Sequence, residues 1–379
     1  MSETHGPVMA ATGLRVMTVL SPRERFAPGE CGAIGLLVRR LAGPGEVVVG
    51  TAPQHASFAG VAFRPVPPVF SWRGGRVRYR KGVARLIREN RPDLVEVHNR
   101  PDLALALRRC FPSLPVVLVL HNDPCSMRRA RRPAEREYLA RAVAVVAVSE
   151  WVRQRFVSQG VGGCVSILPN SLDLEALPAP LPPEQRENLL LFAGRVVADK
   201  GVDAFVAACA ELLPRYPGWQ AQIFGADDFG EQTRETPFLR ALRPQAHAAG
   251  VELVGYRPHE AVLDAMSRAA IVAAPSRWGE PFGMAALEAL GCGAAVLVSP
   301  NGNLPELAGQ AAVYADPDSL PELVAGLESL MTDASLRARL GQAGQSRAAR
   351  FDCRTMRAIR AELHAEVVRA WPGKGLFSA

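Results

Sequence analysis

Short apolar runs alternate with longer amphipathic segments along this 379-residue chain. The alternation predicts parallel β-strands joined by helices, since a crossover between parallel strands needs a segment of helical length. In the first half it predicts strands over residues 14–20, 46–50, 94–97, 116–120, 144–148 and 165–168. It predicts helices over residues 32–41, 79–90, 103–110, 134–141 and 150–158. The first half is therefore expected to form an open α/β unit.

A proline-rich segment separates this unit from a second one. Four prolines between Leu177 and Pro183 argue against both a helix and a central strand, which predicts a linker over residues 178–187. The strands predicted after it cover residues 188–194, 219–224, 251–254, 271–275 and 295–299. The helices predicted after it include residues 202–213, 237–249, 259–267, 321–332, 334–350 and 355–370. We expect Rossmann-like domains over residues 1–177 and 188–354, with a ligand cleft between the carboxyl ends of their sheets.

Composition narrows the class of protein. Apolar residues make up 48% of the chain, enough for two cores, yet no apolar run approaches the roughly 18 residues needed to cross a bilayer. The first 13 residues lack the charged start and long apolar stretch of a secretion signal. The seven cysteines include no C-x-x-C pair, so neither a disulfide framework nor a zinc site is indicated. We expect a cytoplasmic protein.

The net charge of +7 is concentrated in the first half, where residues 1–180 carry 25 Lys and Arg against 14 Asp and Glu. Two basic clusters account for most of it: Arg73, Arg76, Arg78, Arg80, Lys81, Arg85, Arg88 and Arg91, then Arg128, Arg129, Arg131, Arg132, Arg136 and Arg141. A domain with this excess of positive charge can attract anionic lipid headgroups or phosphorylated saccharides. The alternative interpretation is that the basic residues only solvate the faces of helices. Aromatic residues are only 6% and are not interleaved as in RNA-binding sheets, so nucleic acid is not an expected partner.

Two carboxylates, Glu280 and Glu288, lie eight positions apart near the end of the second half. Glu280 precedes Pro281, which disfavours helix at that position and predicts an extended turn. Glu288 falls about two turns into a helix that starts near Phe282. The amides of a helix start attract anions and carboxylates attract hydroxyls, and a nucleotide sugar offers both groups. For an isolated pair, a solvated turn and a surface helix residue would be the alternative.

Other candidate ligand groups follow predicted strands. Arg195 and Lys200 lie in a glycine-bounded loop and suit a diphosphate, as a planar fork and a mobile point charge. Gly32 opens the first helix, although its surroundings lack the dinucleotide G-x-G-x-x-G spacing. His121 and His98 each end a strand and so are candidates for the cleft, with His98 equally able to be an ordinary structural histidine.

Together these residues resemble the retaining family 4 glycosyltransferases, which have the GT-B fold. The resemblance spans nearly the whole chain and rests on the order and spacing of its motifs. The motifs are Gly32, His121, Val148-Ser149-Glu150, Pro169-Asn170-Ser171-Leu172-Asp173, Gly194-Arg195 with Lys200-Gly201, Val254-Gly255-Tyr256, and the E-x7-E element from Glu280 to Glu288. The terminal segment 355–379 resembles the family's last helix, which crosses back to the first domain.

The resemblance implies particular roles. Arg195 and Lys200 would hold the donor diphosphate, Glu288 the ribose and Glu280 the hydroxyls of the transferred sugar. His121 would contact that sugar near the reacting face, and Tyr256 would meet the base. Backbone amides at Phe282, Gly283 and Met284 would add to the grip on sugar and phosphate, with Gly32 also at the donor.

Three departures from the family pattern leave local contacts open. Ser171 stands where the family commonly has glycine, and Ala33 stands where a second glycine often follows Gly32. Gly225 is followed by Ala226, Asp227 and Asp228 instead of another glycine.

The expected reaction is retaining transfer of a hexosyl unit from a UDP- or GDP-sugar to a saccharide or lipid-linked acceptor. No cofactor is expected, and no metal, because cationic side chains and a helix start can stabilise the leaving diphosphate. Local similarity to bacterial lipopolysaccharide-core and exopolysaccharide enzymes suggests cell-surface polysaccharide synthesis at the inner face of the membrane. A GT-B epimerase or phosphorylase is a less favoured alternative, and a non-catalytic sugar-nucleotide-binding protein of the same fold is another.

Overall fold

The computed structural model describes residues 13–69, 74–227 and 235–371, which form two parallel β-sheets. The strands of the first sheet are β1 (Val16–Val19), β2 (Val47–Gly50), β3 (Ala62–Pro65), β4 (Leu94–His98), β5 (Val116–Leu120), β6 (Ala144–Ala147) and β7 (Val165–Ile167). Their spatial order is β3-β2-β1-β4-β5-β6-β7. The central strands are buried on both faces, as the uninterrupted Val/Leu run of β5 predicts for a parallel sheet covered by helices.

Helices connect these strands as the pattern predicts. They are α1 (Ala33–Leu41), α2 (Gly75–Asn90), α3 (Pro101–Cys110), α4 (Pro133–Ala142) and α5 (Glu150–Val157), with a short 3-10 turn over Pro124–Ser126. The predicted bounds agree within a few residues, because proline at the first turn and polar caps mark the starts. Ser149, for example, accepts a hydrogen bond from the Val152 amide and caps α5.

The second sheet has six parallel strands. They are β8 (Glu187–Ala193), β9 (Gln220–Phe224), β10 (Val251–Gly255), β11 (Ala269–Ala274), β12 (Ala295–Val298) and β13 (Ala312–Tyr314), in the spatial order β10-β9-β8-β11-β12-β13. The helices are α6 (Val202–Leu212), α7 (Pro237–Ala248), α8 (His259–Arg268), α9 (Met284–Gly291), α10 (Leu304–Ala308), α11 (Leu320–Thr332), α12 (Ala334–Ala348) and α13 (Cys353–Ala370). Short 3-10 turns cover Pro183–Gln185, Ala198–Lys200 and Ala349–Phe351. Two Rossmann-like parallel-sheet units confirm the predicted GT-B architecture.

Three elements were not predicted from the sequence, namely β3, β13 and α10. Both strands lie at sheet edges. β3 exposes three of its four residues and has no apolar run that would mark a buried strand, whereas β13 spans only three residues of a short apolar run and was not singled out. The five-residue α10 is too short to show a helical period.

Some predictions fall on residues outside the described ranges. They concern residues 1–12 of the first domain, residues 372–379 of the terminal segment, Arg73 of the first basic cluster, and Asp228. No helix among the described residues is long and apolar enough to cross a membrane.

The last helix, α13, lies against the first sheet, far from the strands that precede it in the chain. Its Met356 packs on Leu37 and Leu41 of α1. Its Arg360 is 3% exposed and donates to the Glu96 carboxylate of β4 at 3.0 Å and to Glu46 at 2.8 Å. Burial alone would lower the pKa of Arg360, but the charges of Glu96 and Glu46 raise it above its usual value. A buried ion network therefore attaches the end of the chain to the first sheet.

Replacing Arg360 with leucine is expected to destabilise the protein strongly. Arg360→Leu leaves two acidic side chains without their cationic partner, one of them wholly buried, and losing one partner of a buried pair costs about 3–5 kcal/mol. The free energy of unfolding in urea, followed by circular dichroism, measures the loss. Arg369→Leu, at an exposed position of the same helix, is the matched control. Equal losses in the two variants would contradict the assigned role of the network.

Candidate active site

A cavity of about 290 Å³ brings together residues from both sheets. The first half contributes Ala33, Ile34 and Leu37 of α1, together with His121, Asn122 and Asn170 after strands β5 and β7. The second half contributes Arg195, Lys200, Trp278 and the segment from Glu280 to Ala286. The predicted residues His121, Arg195, Lys200, Glu280, Phe282, Gly283 and Met284 thus line one cavity. Such a meeting of strand ends is where open α/β sheets bind ligands.

Two loops hold the cationic side of the cavity. Arg277 donates its backbone amide to the Asp199 carbonyl at 2.9 Å, and the Ser276 hydroxyl donates to the same oxygen at 3.2 Å. Gly201 adopts a left-handed φ of 69°, and a Cβ there would lie 1.9 Å from the Pro275 carbonyl oxygen. Only glycine therefore lets the loop that carries Lys200 approach the loop that carries Glu280 this closely.

Lys200 and Glu280 form an ion pair between these loops. The Lys200 ammonium also lies 5.6 Å from the centre of the Trp278 ring. Arg195 is exposed at the cavity and makes no ion pair with another described residue. The cavity therefore holds one cation that is already neutralised and one that is available to an anion.

Helix α9 begins at the cavity wall. Its N-cap, Gly283, has a left-handed φ of 97° and no side-chain cap, so the first amides of the helix are left to other partners. The Asn303 side chain donates to the Phe282 carbonyl at 3.1 Å and fixes the entry to the helix. Uncapped amides at a helix start favour an anion.

Glu288 lies behind this wall and does not line the cavity with Glu280. It is 9% exposed, and its carboxylate is 2.8 Å from His259 Nε2 and 3.9 Å from the Arg40 guanidinium of α1. The E-x7-E spacing thus puts its two carboxylates in different surroundings, one facing the cavity and one beside two basic side chains.

His121 is the cavity-facing end of a buried relay. Its Nε2 is 2.8 Å from His98 Nδ1, and His98 Nε2 is 2.9 Å from the Glu96 carboxylate. Glu96 also accepts from Arg360 at 3.0 Å and lies 2.7 Å from His364 Nε2. Of the two histidines that end strands, His121 therefore meets the cavity, and His98 supports it from behind.

The contacts among these buried residues determine the protonation states of Glu96 and His121. Burial would raise the pKa of Glu96, but the Arg360 charge and the His364 and His98 hydrogen bonds hold it well below its usual value. Burial, together with the His98 ring, lowers the pKa of His121 from 6.5 to about 3. At neutral pH His121 is therefore an uncharged ring, which can exchange hydrogen bonds with a hydroxyl but carries no proton to deliver as an acid.

Besides Glu288, two more predicted donor residues lie outside the cavity lining. Gly32 donates its amide to the Glu24 carboxylate at 2.7 Å, and Gly35 donates to the same oxygen at 3.0 Å, so this helix start already has an anionic partner. Tyr256 follows β10 and is half-buried beyond the described lining. The roles assigned to them remain predictions.

The departures from the family pattern are accommodated locally. Ser171 is fully buried and is not among the residues with a left-handed backbone, so its turn does not require glycine. Its carbonyl accepts from Arg40 at 3.0 Å. Ala226 accepts from the Val196 amide at 2.9 Å, which fixes the loop that carries Arg195.

Several site residues were not singled out from the sequence. Trp278 and Asn122 line the cavity, as does Asn170, which the sequence analysis named only as part of a family motif. The sequence did contain a signal for Glu96, which is a carboxylate inside the apolar run of β4. It also contained a signal for Arg360 and His364, because a spacing of four residues puts them on one face of a helix.

The two halves touch directly beside the cavity. The Ser149 hydroxyl donates to the Pro281 carbonyl at 2.6 Å, so the cap of α5 also anchors the Glu280 loop. A Cβ on Gly279 would lie 2.5 Å from the Trp151 ring, and glycine at this position allows the close approach.

Family models account for most of the chain. The model described as Glycosyl transferases group 1 matches residues 174–347, and the model described as Glycosyltransferase Family 4 matches residues 36–176. Glycogen synthase of Mycobacterium tuberculosis is 27% identical over 72% of this chain and 69% of its own. Phosphatidyl-myo-inositol mannosyltransferase of Mycolicibacterium smegmatis is 27% identical over 79% of this chain and 78% of its own.

Solved structures share the fold. Sucrose-phosphate synthase of Thermosynechococcus elongatus superposes with a TM-score of 0.77 at 18% identity, covering 94% of this chain and 100% of that one. Anabaena HepE in complex with UDP and glucose gives 0.72 at 20% identity, covering 93% and 99%. WaaG, a glycosyltransferase involved in lipopolysaccharide biosynthesis, gives 0.66 at 16% identity, covering 92% and 99%.

Two facing parallel-sheet units, with a cavity built from the strand ends of both, define the GT-B class. The chain belongs to the family 4 glycosyltransferases of that class, and the protein is a glycosyltransferase.

The low pKa of His121 makes the fold sensitive to mild acid. Unfolded His121 takes up a proton near pH 6.5, whereas the folded ring does so only near pH 3, so stability present above pH 6.5 is lost as the pH falls. The loss is at most about 1.4 kcal/mol per pH unit. His121→Gln should therefore show a smaller change in urea midpoint between about pH 7.5 and about pH 5 than the wild type.

Exposed His247 provides the control, and His247→Gln should keep the wild-type pH dependence. Glu96 adds acid sensitivity mainly below its ordinary value of 4.5, and the comparison of the two variants separates the contribution of His121 from that of the other groups. An unchanged pH dependence in His121→Gln would argue against a neutral, buried ring.

Proposed function

We propose that the protein is a retaining hexosyltransferase that moves a sugar from a UDP- or GDP-sugar to a saccharide or lipid-linked acceptor. The observation that carries this proposal is the meeting of Arg195, Lys200, Glu280 and neutral His121 around one cavity. Cations and helix amides suit the diphosphate, while a carboxylate and an uncharged imidazole suit sugar hydroxyls. Anabaena HepE, which has the same fold, was solved with UDP and glucose.

Donor binding would rearrange the charges of the cavity. Lys200 is paired with Glu280. A diphosphate beside Arg195 and the start of α9 would draw Lys200 toward its oxygens and leave the Glu280 carboxylate free to accept from sugar hydroxyls. The ion pair thus keeps both groups in place until the donor offers each a better partner.

Catalysis in this proposal is stabilisation of a leaving group. As the bond between the anomeric carbon and the phosphate oxygen breaks, negative charge grows on the diphosphate, where Arg195, Lys200 and the α9 amides can stabilise it. The acceptor hydroxyl attacks from the same face, and its proton passes to the departing phosphate oxygen. No protein nucleophile, metal or cofactor is assigned, and His121 orients the sugar without donating a proton.

The acceptor molecule is expected to be anionic. The first half carries most of the positive charge. Helix α2 presents four basic side chains along a surface depression, namely Arg80, Lys81, Arg85 and Arg88. We therefore propose that the enzyme acts in bacterial cell-surface polysaccharide synthesis, on lipopolysaccharide core or exopolysaccharide, and binds peripherally at the inner membrane face. WaaG, of the same fold, is described as involved in lipopolysaccharide biosynthesis.

Lys200→Ala and Glu288→Ala should each weaken donor binding or turnover. Each removes a charge-assisted contact worth about 1.5–3 kcal/mol, which corresponds to about 10- to 150-fold in Kd or in kcat/KM. Thermal shift with UDP-glucose, UDP-galactose, UDP-GlcNAc and GDP-mannose identifies the donor, and titration with it gives the Kd. Arg339→Ala and Glu211→Ala, both at exposed positions of the second half, are the charge-matched controls.

Wild-type kinetics in both site variants would refute the assigned roles. Slow release of free sugar from the bound donor separates a transferase from a non-catalytic sugar-nucleotide-binding protein, which would release none. Product analysis separates a transferase from an epimerase or a phosphorylase.

Membrane attachment has its own test. Vesicles with anionic lipid should float the protein at low salt and release it as salt rises, because the attraction of exposed arginines is screened within about 10 Å at 0.1 M. Neutral vesicles are the control. Binding that never occurs, or that persists unchanged at high salt, would contradict the peripheral-membrane proposal.

A further inference from the structure

A second and larger cavity, of about 880 Å³, lies within the first half. It opens at the carboxyl edge of the first sheet, with Ser21 following β1 and Asn99 following β4. It shares no described lining residue with the cavity that holds Lys200 and Glu280. Its size suits a small saccharide or a comparable ligand.

Arginine dominates the lining of this cavity. Five arginines, namely Arg23, Arg76, Arg78, Arg100 and Arg128, face a single acidic residue, Asp102, and we call this site the arginine cavity. Arg100 is neutralised by Asp102 through contacts of 2.8 and 2.9 Å. The other four arginines form no ion pair with another described residue. These four guanidinium groups are exposed to solvent, and together they give the lining an excess of positive charge that attracts an anion.

Much of the remaining wall is apolar. Tyr79 donates its hydroxyl to the Leu20 carbonyl at 2.8 Å, which holds the ring in place as part of the lining. Pro67, Pro68 and Met127 also line the cavity. An apolar wall beside several cations suits a ligand that has both a carbon skeleton and an anionic group.

The arginine cavity adjoins the cavity lined by His121, Lys200 and Glu280, which we call the donor cavity, through one hydrogen bond. Asn99 lines the first, and its side-chain oxygen accepts a hydrogen bond of 2.8 Å from the backbone amide of His121, which lines the second. Asn99 has a left-handed backbone with a φ of 54°, a conformation that asparagine tolerates better than most residues. A ligand in the arginine cavity would therefore lie next to the sugar that His121 contacts.

We propose that the arginine cavity binds the acceptor through a phosphate group carried by a saccharide. The proposal rests on the transferase function proposed above and names the chemical class of its second substrate. Planar guanidinium groups match the oxygens of both carboxylates and phosphates in pairs, and among these a phosphate monoester, with more oxygens and a larger negative charge, suits several arginines best. The acceptor hydroxyl beside this group forms the new bond to the anomeric carbon, the bond from that carbon to the donor phosphate breaks, and the hydroxyl proton leaves with the diphosphate.

The test measures phosphate binding with the donor cavity already filled. With saturating UDP present, calorimetric titration of the full-length protein with glucose 6-phosphate should show binding, and titration with glucose should show much weaker binding. The double variant Arg23→Gln/Arg128→Gln should lose at least about tenfold in affinity, as expected for lost charge-assisted contacts. Arg339→Gln, at an exposed position of the second half, controls for the change in net charge.

A second arm identifies the source of the phosphate. Vesicles that contain phosphatidic acid replace the sugar phosphate, again with wild type and the double variant. Loss of sugar-phosphate binding in the double variant supports a free phosphorylated acceptor, and loss of vesicle binding alone supports a lipid-linked one. Wild-type affinity of the double variant for both probes, or no wild-type binding to either, would overturn the proposal.

A separate measurement tests the proposed transferase function on which this inference rests. Thermal shift with UDP should be unchanged in the double variant and reduced in Lys200→Ala. If UDP and the nucleotide sugars do not bind the wild type, the donor assignment fails. The arginine cavity would still be supported in that case by binding of glucose 6-phosphate in the absence of UDP. This binding should be retained by Lys200→Ala and lost by Arg23→Gln/Arg128→Gln.

Discussion

The buried ion pair between Arg360 and Glu96 is the interaction on which the arrangement of the first half depends. A wholly buried carboxylate in the middle of β4 is tolerable only because Arg360, His364 and His98 surround it. The same carboxylate orients His98, and His98 in turn contacts the ring of His121. One electrostatic requirement thus brings the last helix back across the molecule and fixes a side chain of the candidate active site. Folding of the chain end and preparation of the site are consequences of the same contact.

The second half holds its site residues in a different way, with an ion pair between two loops instead of a buried network. The loops of Lys200 and Glu280 are tied by backbone hydrogen bonds, through Asp199 and Arg277, while the side chains pair with each other. Fixed backbones with exchangeable side-chain partners suit a ligand that brings both an anion and hydroxyls. The first half is instead fixed by burial and keeps an excess of arginine at its edge. The two halves therefore differ in how their site residues are held as well as in charge.

The sequence interpretation succeeded where a single local rule decides the outcome. Strands such as β5 are continuous apolar runs, Pro281 sets the turn at Glu280, and the glycines beside Lys200 mark a tight loop. It failed where the partner lies far along the chain. The spacing of Glu280 and Glu288 gave no sign that Glu288 would face His259 and Arg40, and the turn at Gly32 gave no sign that Glu24 would occupy its amides. Edge strand β3 was missed because exposure removes the apolar pattern.

Pattern and motif order alone determined the two α/β units, their fold class and the charged and histidine residues that line the cavity of the candidate active site, because alternation and strand-end position are local properties of a chain. Tertiary structure decided which of these residues meet. It put His121 in the cavity and His98 behind it, gave Glu96 the cation that lets it be buried, and gathered Arg23, Arg76 and Arg128 from three separate segments around one space. Burial and long-range pairing set these outcomes, and both depend on residues that are hundreds of positions apart or on different sheets.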